Sequence, residues 1–211
     1  LCQASHAAPS PTPHLAVPCK SQFEIFKLIL LMTTFFALLL AHLLADFPLQ
    51  TNQIFRLKIA GNMGLVLHVL IHLLVAALML QMPGQHIDLL LLLGAAHFVT
   101  DWIKVRFTGN PQWPGFVLDQ LAHLAAIALI AVWRPRVTAV FPLWLLLPLI
   151  LLVLLPALLT LIWVWANDAQ QQFRYQQSQA VQWASSRLLP LSQRMGWIAV
   201  LLVLVCRVIV F

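Results

Sequence analysis

Charge is what this sequence lacks most. Only 9% of its 211 residues are charged, against 62% apolar, and acidic groups number six, with Glu24 the only glutamate. A soluble domain carries about 25% charged and 45–50% apolar residues, so the balance excludes an ordinary soluble fold and points to a membrane protein. With a single glutamate, the general base usual in HExxH metalloproteases is missing. Cysteine is scarce too: Cys2 and Cys19 lie near the N-terminus, Cys206 near the C-terminus, and no CxxC spacing occurs. That excludes a zinc knuckle and a dithiol redox motif, and leaves a Cys2–Cys19 disulfide open if the tail is exported. The net charge of +6 comes without a clustered basic run. Its cations sit in short loops beside apolar segments, the usual flank of membrane helices, so a nucleic-acid partner is not expected.

What is present is length without polarity. Apolar runs of about 20 residues, enough to cross the hydrocarbon core, occur near 26–45, 63–80, 87–104, 117–133, 140–165 and 195–211. The expected fold is therefore all-α, a polytopic transmembrane bundle of about six spans. The fifth carries Pro148 and Pro156 and is expected to be tilted or kinked. Residues 1–25, with Pro9, Pro11, Pro13 and Pro18, read as a disordered tail and not as a signal peptide. An internal Met32 opens "MTTFFALLLAHLLAD", so two readings of residues 1–31 stand: a translated tail, or a start site placed too far upstream. The remaining divisions are a four-span domain over 26–134, the long fifth span over 135–166, a polar connector over 167–194 and the last span. In the connector, Phe173, Ala180, Ala184 and Leu188 trace a rough helical stripe, which fits either a surface-lying helix or a plain link.

Against this apolar background the ionisable residues inside spans stand out. Each such Asp, Lys or Arg costs roughly 2.5–3.5 kcal/mol on insertion, which makes it a functional candidate by default. The first span ends with His42 and Asp46, and the second opens with His68 and His72 in "HVLIH". The third ends with His97 and Asp101 in "HFVTD", and the fourth opens with Asp119 and His123 in "DQLAH". All four pairs have i, i+4 spacing, which stacks both side chains on one helix face. Random placement of the histidines and aspartates gives roughly one such pair; four occur, one per span. Because successive spans alternate in direction, the end of one and the start of the next share a membrane face. All four pairs therefore fall at one level, where a bundle can converge five imidazoles and three carboxylates on one cavity.

Neutral imidazole and carboxylate together are ligands for a divalent metal, zinc ahead of manganese or iron. His42, Asp46, His68, His72, His97, Asp101, Asp119 and His123 exceed the needs of one ion. They suit two ions about 3.5–4 Å apart, or one ion with the surplus as outer shell. A catalytic ion would bring the pKa of a bound water to about 7, with Asp46 or Asp119, at the expected cavity mouth, as base. Beside the pairs, "FPLQTNQIFRLKIAGN" reads as a polar loop. Its Gln50, Thr51 and Lys58, with Lys104 past Asp101, form a cationic rim suited to phosphate or carboxylate on a substrate, or else an ordinary basic flank. His86 and Asp88 lie at the opposite face and read as structural. Arg56, Lys58, Lys104, Arg106, Arg174, Arg187 and Arg194 flank the pair side, against Arg134, Arg136 and Arg207 (with Lys20 and Lys27 if the tail is real) on the other. This asymmetry places the pairs toward the cytoplasm of a bacterial inner membrane. Trp102, Trp113, Trp163 and Trp165 on one side, and Trp133 and Trp144 on the other, mark aromatic belts.

"HLLADFPLQT", the histidine-rich second span and "HFVTDWIK" resemble a bacterial membrane family known as domain of unknown function 3307, over about residues 33–130. Its most characteristic elements here are His42–Asp46 and Gln50–Thr51. The resemblance implies a membrane protein and supplies no activity. More loosely, helix-borne His/Asp pairs are similar to those of membrane-bound proteins described as metal-dependent hydrolases, which implies a bound metal and a hydrolytic reaction. Three function classes stay open: a metal-dependent hydrolase of a lipid or other membrane-borne ester, a metal carrier or sensor without chemistry, and a bundle whose His/Asp pairs only hydrogen-bond. Spans that are almost purely Leu, Val, Ala and Ile beyond the pairs lean against a carrier, which needs a polar route to the far leaflet.

Overall fold

The computed structural model describes residues 19–107 and 109–210. The Pro-rich segment 1–18 and the Cys2–Cys19 pairing lie outside the described side chains. Among the described residues the chain forms seven α-helices: α1 Cys19–Asp46, α2 Asn52–Ala60, α3 Asn62–Leu78, α4 Ile87–Phe107, α5 Gln112–Trp133, α6 Leu143–Gln170 and α7 Gln179–Val210. All six expected segments are helical, as α1 and α3 to α7. Five are long and apolar enough to cross a membrane, while α3, with 17 residues, is shorter. At 1.5 Å per residue it reaches about 26 Å, under the roughly 30 Å of a hydrocarbon core.

The hub is α1. Ala37, Leu38, Leu40, Ala41, Leu44 and Ala45 are all buried, because this helix packs on α3, α5 and α6 at once. Contacts of α3 with α4 and of α4 with α5 close a four-helix bundle, and α7 packs along α6 outside it. Side chains facing away stay apolar: Leu91, Leu118, Leu129 and Leu151 are each more than 60% exposed. In water such a belt would drive aggregation; against lipid it is the required surface.

Local chemistry sets the ends. Pro48 follows Phe47, which disfavours helical geometry at the preceding residue and stops α1 at Asp46. The chain restarts at once, for Thr51 Oγ1 accepts from Ile54 N at 3.4 Å and caps α2. The stretch read as a polar loop is thus mostly helix. Its pattern is inverted, with Phe55, Leu57 and Ile59 about half exposed and Lys58 only 5% exposed. The helix presents apolar side chains outward and a cation inward, as an interfacial element resting on a polar site must. Gly64 makes this docking feasible: a Cβ there would lie 1.9 Å from Leu57 O, so α2 approaches α3 closer than any side chain permits.

At the far end the bundle is tied by hydrogen bonds to the backbone. Gln81 N donates to Thr138 O at 3.0 Å and Val140 N to Met79 O at 2.9 Å, and Val137 N donates to Thr34 Oγ1 at 3.3 Å. Asp88 pairs with Arg134 there, the structural role expected of it.

Two boundaries differ from expectation. Residues 19–25 belong to α1 and not to a disordered tail. In place of a separate connector before the last span, Gln179–Val210 is one 32-residue helix. Its buried face, Val181, Ala184, Leu188, Ser192, Gly196, Ala199 and Val203, recurs every three or four residues across the supposed boundary, so polar outward residues hid a continuous helix. Likewise α6 runs unbroken through Pro148 and Pro156. At about 42 Å and about 48 Å, α6 and α7 both exceed the roughly 30 Å hydrocarbon thickness.

Candidate metal centre

Each of α1, α3, α4 and α5 delivers one i, i+4 pair to the same point inside the bundle. His42, His68, His72, His97, Asp101, Asp119 and His123 are buried, and the Asp46 side chain is 5% exposed. The donors converge closely. His68 Nε2 and His97 Nε2 lie 3.1 Å apart. Asp46 Oδ1 stands 3.2 Å from the first and 3.5 Å from the second, and Asp101 Oδ2 stands 3.5 and 3.2 Å from the same two nitrogens.

Hydrogen bonding alone does not satisfy this arrangement. A neutral imidazole carries one N–H, so each Nε2 has at most one proton for the three polar atoms around it. Asp46 Oδ1 and Asp101 Oδ2 have no hydrogen-bond partner of good geometry, nor do His68 Nδ1, His72 Nδ1 and Asp119 Oδ1, while Asp101 Oδ1 has only the Lys58 ammonium. Buried polar atoms in such numbers need an explanation. A divalent cation supplies one: ligands bonded at about 2.0–2.2 Å stand roughly 3–3.5 Å from one another, the separations seen here. Three overlapping groups have ligand atoms within 4.8 Å of one another: His42, Asp46, His72 and His97; His68, His97 and Asp101; and Asp101, Asp119 and His123. The residues therefore fit a metal ion, and the donor set has capacity for two.

Neighbouring groups orient the ligands. His42 Nε2 donates to Gln120 Oε1 at 3.3 Å, so its Nδ1 carries the lone pair, turned into the cluster 3.1 Å from His72 Nε2. Gln120 Nε2 in turn donates to Asp119 Oδ2 at 3.2 Å and Asp46 Oδ2 at 3.4 Å. Thr100 Oγ1 donates to Ala96 O at 2.9 Å, which leaves its lone pair to accept from His123 Nδ1 at 3.1 Å. His123 Nε2 then faces Asp119 Oδ1 at 3.4 Å and Asp101 Oδ1 at 3.8 Å, a contact that either a metal ion on its lone pair or a second ring proton makes favourable. Such outer partners fix tautomer and ring direction in metal sites. Sequence reasoning missed both Gln120 and Thr100, although "DQLAH" and "HFVTD" contain them.

Of the expected cationic rim, Lys58 is buried against the cluster and Lys104 reaches it from the cavity side. Lys58 Nζ contacts Asp101 Oδ1 at 2.6 Å, and Lys104 Nζ contacts Asp119 Oδ2 at 2.6 Å. Gln50 Oε1 accepts from Lys58 at 3.5 Å, whereas Thr51 serves as the cap of α2. Of the two expected bases, Asp46 lines an adjoining cavity of about 460 Å³, together with Gln50, Lys58 and Lys104. Asp119 is held behind Lys104 and Gln120 and is absent from the cavity wall. On the opposite side, the hollow bounded by His42, His72, Leu93, His97, His123 and Ile127 has no room for a water molecule.

Comparison with curated proteins and with solved structures finds no match to the chain, so the looser likeness to metal-dependent hydrolases has no counterpart there. Residues 34–147 match the family model described as Protein of unknown function (DUF3307). That segment is just over half of the chain and contains all eight clustered residues with Lys58, Thr100, Lys104 and Gln120, and the chain belongs to this family.

Proposed function

We propose that this protein is a metal-dependent membrane hydrolase, holding one or two divalent ions, zinc before manganese or iron, on its His/Asp cluster. The observation that carries the reading is the set of four donors, His68 Nε2, His97 Nε2, Asp46 Oδ1 and Asp101 Oδ2, which crowd together with too few protons to bond one another. When bound, the ion would supply Lewis acidity and a water acidic near neutral pH, with a pKa of about 7. The chain's own residues divide the remaining work. Asp46 reaches both the cluster and the cavity, and so is placed to accept a proton from a substrate-side water. Gln120 holds its other oxygen, and Thr100 holds the His123 ring. A lipid or another membrane-borne ester fits a site at the ends of spans.

A carrier reading finds less support, since the waterless hollow beneath the histidines offers no polar route onward. With Lys58 and Lys104 drawn into the cluster, Arg56, Arg106, Arg174, Arg187 and Arg194 still flank this face, which favours the cytoplasmic side of an inner membrane. The test is turnover of carboxylic and phosphoric esters in mixed micelles by metal-loaded protein. Turnover that requires the metal and drops at least about 100-fold in Asp46→Asn, on the scale of a lost general base, supports the proposal. A fully loaded protein inert on both ester classes contradicts it.

A further inference from the structure

The 460 Å³ cavity has two unlike walls. One, from the four-helix side, carries Asp46, Lys58 and Lys104; the other, from α6 and α7, carries Thr160, Trp163, Val164, Leu189, Ser192 and Gln193, with no ionisable group. Its hydroxyls are spent internally, for Thr160 Oγ1 and Ser192 Oγ lie 2.8 Å apart and Ser192 donates to Pro156 O at 2.7 Å. Opposite a charged wall stands one that is uncharged and mostly apolar, with the Gln193 amide at its edge bonded to Asn52 Oδ1 at 3.2 Å. The volume falls within the range of small-molecule sites, about 300–1,000 Å³. Its place at the cluster end of long helices puts it where headgroups meet acyl chains.

The net charge of this wall together with the cluster behind it follows from their groups. Three carboxylates face two ammoniums, leaving −1 with neutral histidines. One divalent ion in the cluster turns that to +1, and two turn it to +3. Carboxylates engaged by a metal also release Lys58 and Lys104, which line the cavity, as point charges suited to phosphate oxygens.

We infer that this cavity seats a phosphate-bearing amphiphile, its phosphate between Lys104, Lys58 and the metal centre and its apolar chain along Trp163, Val164 and Leu189. The charge reasoning rests on the metal-dependent reading above; the two-walled shape does not. The family match ends at residue 147, so the apolar wall is contributed by the part of this chain outside it, and α6 and α7 set which chain is accepted.

The experiment is titration of detergent-solubilised protein, metal-loaded and metal-free, with decyl phosphate, inorganic phosphate and decyltrimethylammonium, with metal content measured on every sample. The expected result is decyl phosphate binding at least tenfold tighter than either other probe. Thr160→Trp and Leu189→Trp, which fill the cavity, should each weaken it at least tenfold at unchanged metal content, and Lys104→Met should weaken it comparably. Unchanged metal content in the tryptophan variants shows that they fold. Metal-loaded protein that binds all probes alike, or whose tryptophan variants bind like wild type, overturns the inference and leaves the metal reading standing. Tight inorganic phosphate binding equal to decyl phosphate overturns the chain-seating wall. Protein that takes up no metal yet binds decyl phosphate in a Thr160→Trp-sensitive way supports the cavity while the metal reading fails, and a protein taking neither metal nor amphiphile refutes both.

Discussion

The two ends of the molecule around the four-helix bundle have opposite cores. At the far end Leu38, Leu80, Leu89, Phe141 and Leu146 are buried against one another, and backbone bonds around Thr34 and Leu80 close the packing. At the other end five imidazoles, three carboxylates and the Lys58 ammonium fill the core. The far end shows that this chain can close a bundle over a hydrocarbon core, with Asp88–Arg134 confined to the exposed rim. Stability therefore does not call for the charged end, where desolvation of each ion works against folding. The contrast separates a part that holds the fold from a part that the fold holds, and it can be probed from both sides.

The largest effect is expected from Lys58→Met. It leaves the Asp101 carboxylate without its 2.6 Å partner, a change that costs about 3–5 kcal/mol for a broken buried pair. Thermal unfolding in detergent should show that loss in metal-free protein and a clearly smaller one after metal loading, because a bound cation takes over as partner. An equal loss in both forms would make Lys58 purely structural. At the apolar end, Leu146→Ala should cost about 2–5 kcal/mol through the cavity it leaves while metal content stays at the wild-type value. A drop in metal content there would erase the division between the two ends. Thr100→Val removes the acceptor at His123 Nδ1 and should weaken metal affinity about 10–100-fold, as lost outer partners do, with little change in unfolding. Smallest of the set is Asp168→Ala. Asp168 Oδ2 accepts from Trp113 N at 2.6 Å across α6 and α5, so its removal should cost about 0.5–2 kcal/mol, the worth of a helix cap, at unaltered metal content.

The same contrast explains what could be read in the sequence. Pairs such as His97–Asp101 were legible because i, i+4 spacing is local and an ionisable residue in an apolar run is conspicuous. Their convergence followed from alternating helix direction alone. Hidden were the features made by long-range packing. Lys58 was read as part of a rim because its helix turns a cation inward and Phe55 and Leu57 outward, the reverse of the usual pattern. Lys104 and Asp119 meet across two helices, and nothing in either segment announces it. Gln120 and Thr100 carry no charge and so drew no attention, although an amide inside a span was signal enough. The long α7 was masked because its buried stripe continues beneath outward-facing Gln182, Ser186 and Arg187, and the cavity between α6, α7 and the cluster is a property of packing that no single segment encodes.

The most direct test of the central claim is metal content. Detergent-purified wild type should carry one or two equivalents of zinc, manganese or iron, and a His68→Ala/His97→Ala variant that retains its helical circular dichroism should carry none. Wild-type protein that is free of metal and refuses added zinc, manganese and iron would contradict the account and leave the four pairs as a hydrogen-bonded core.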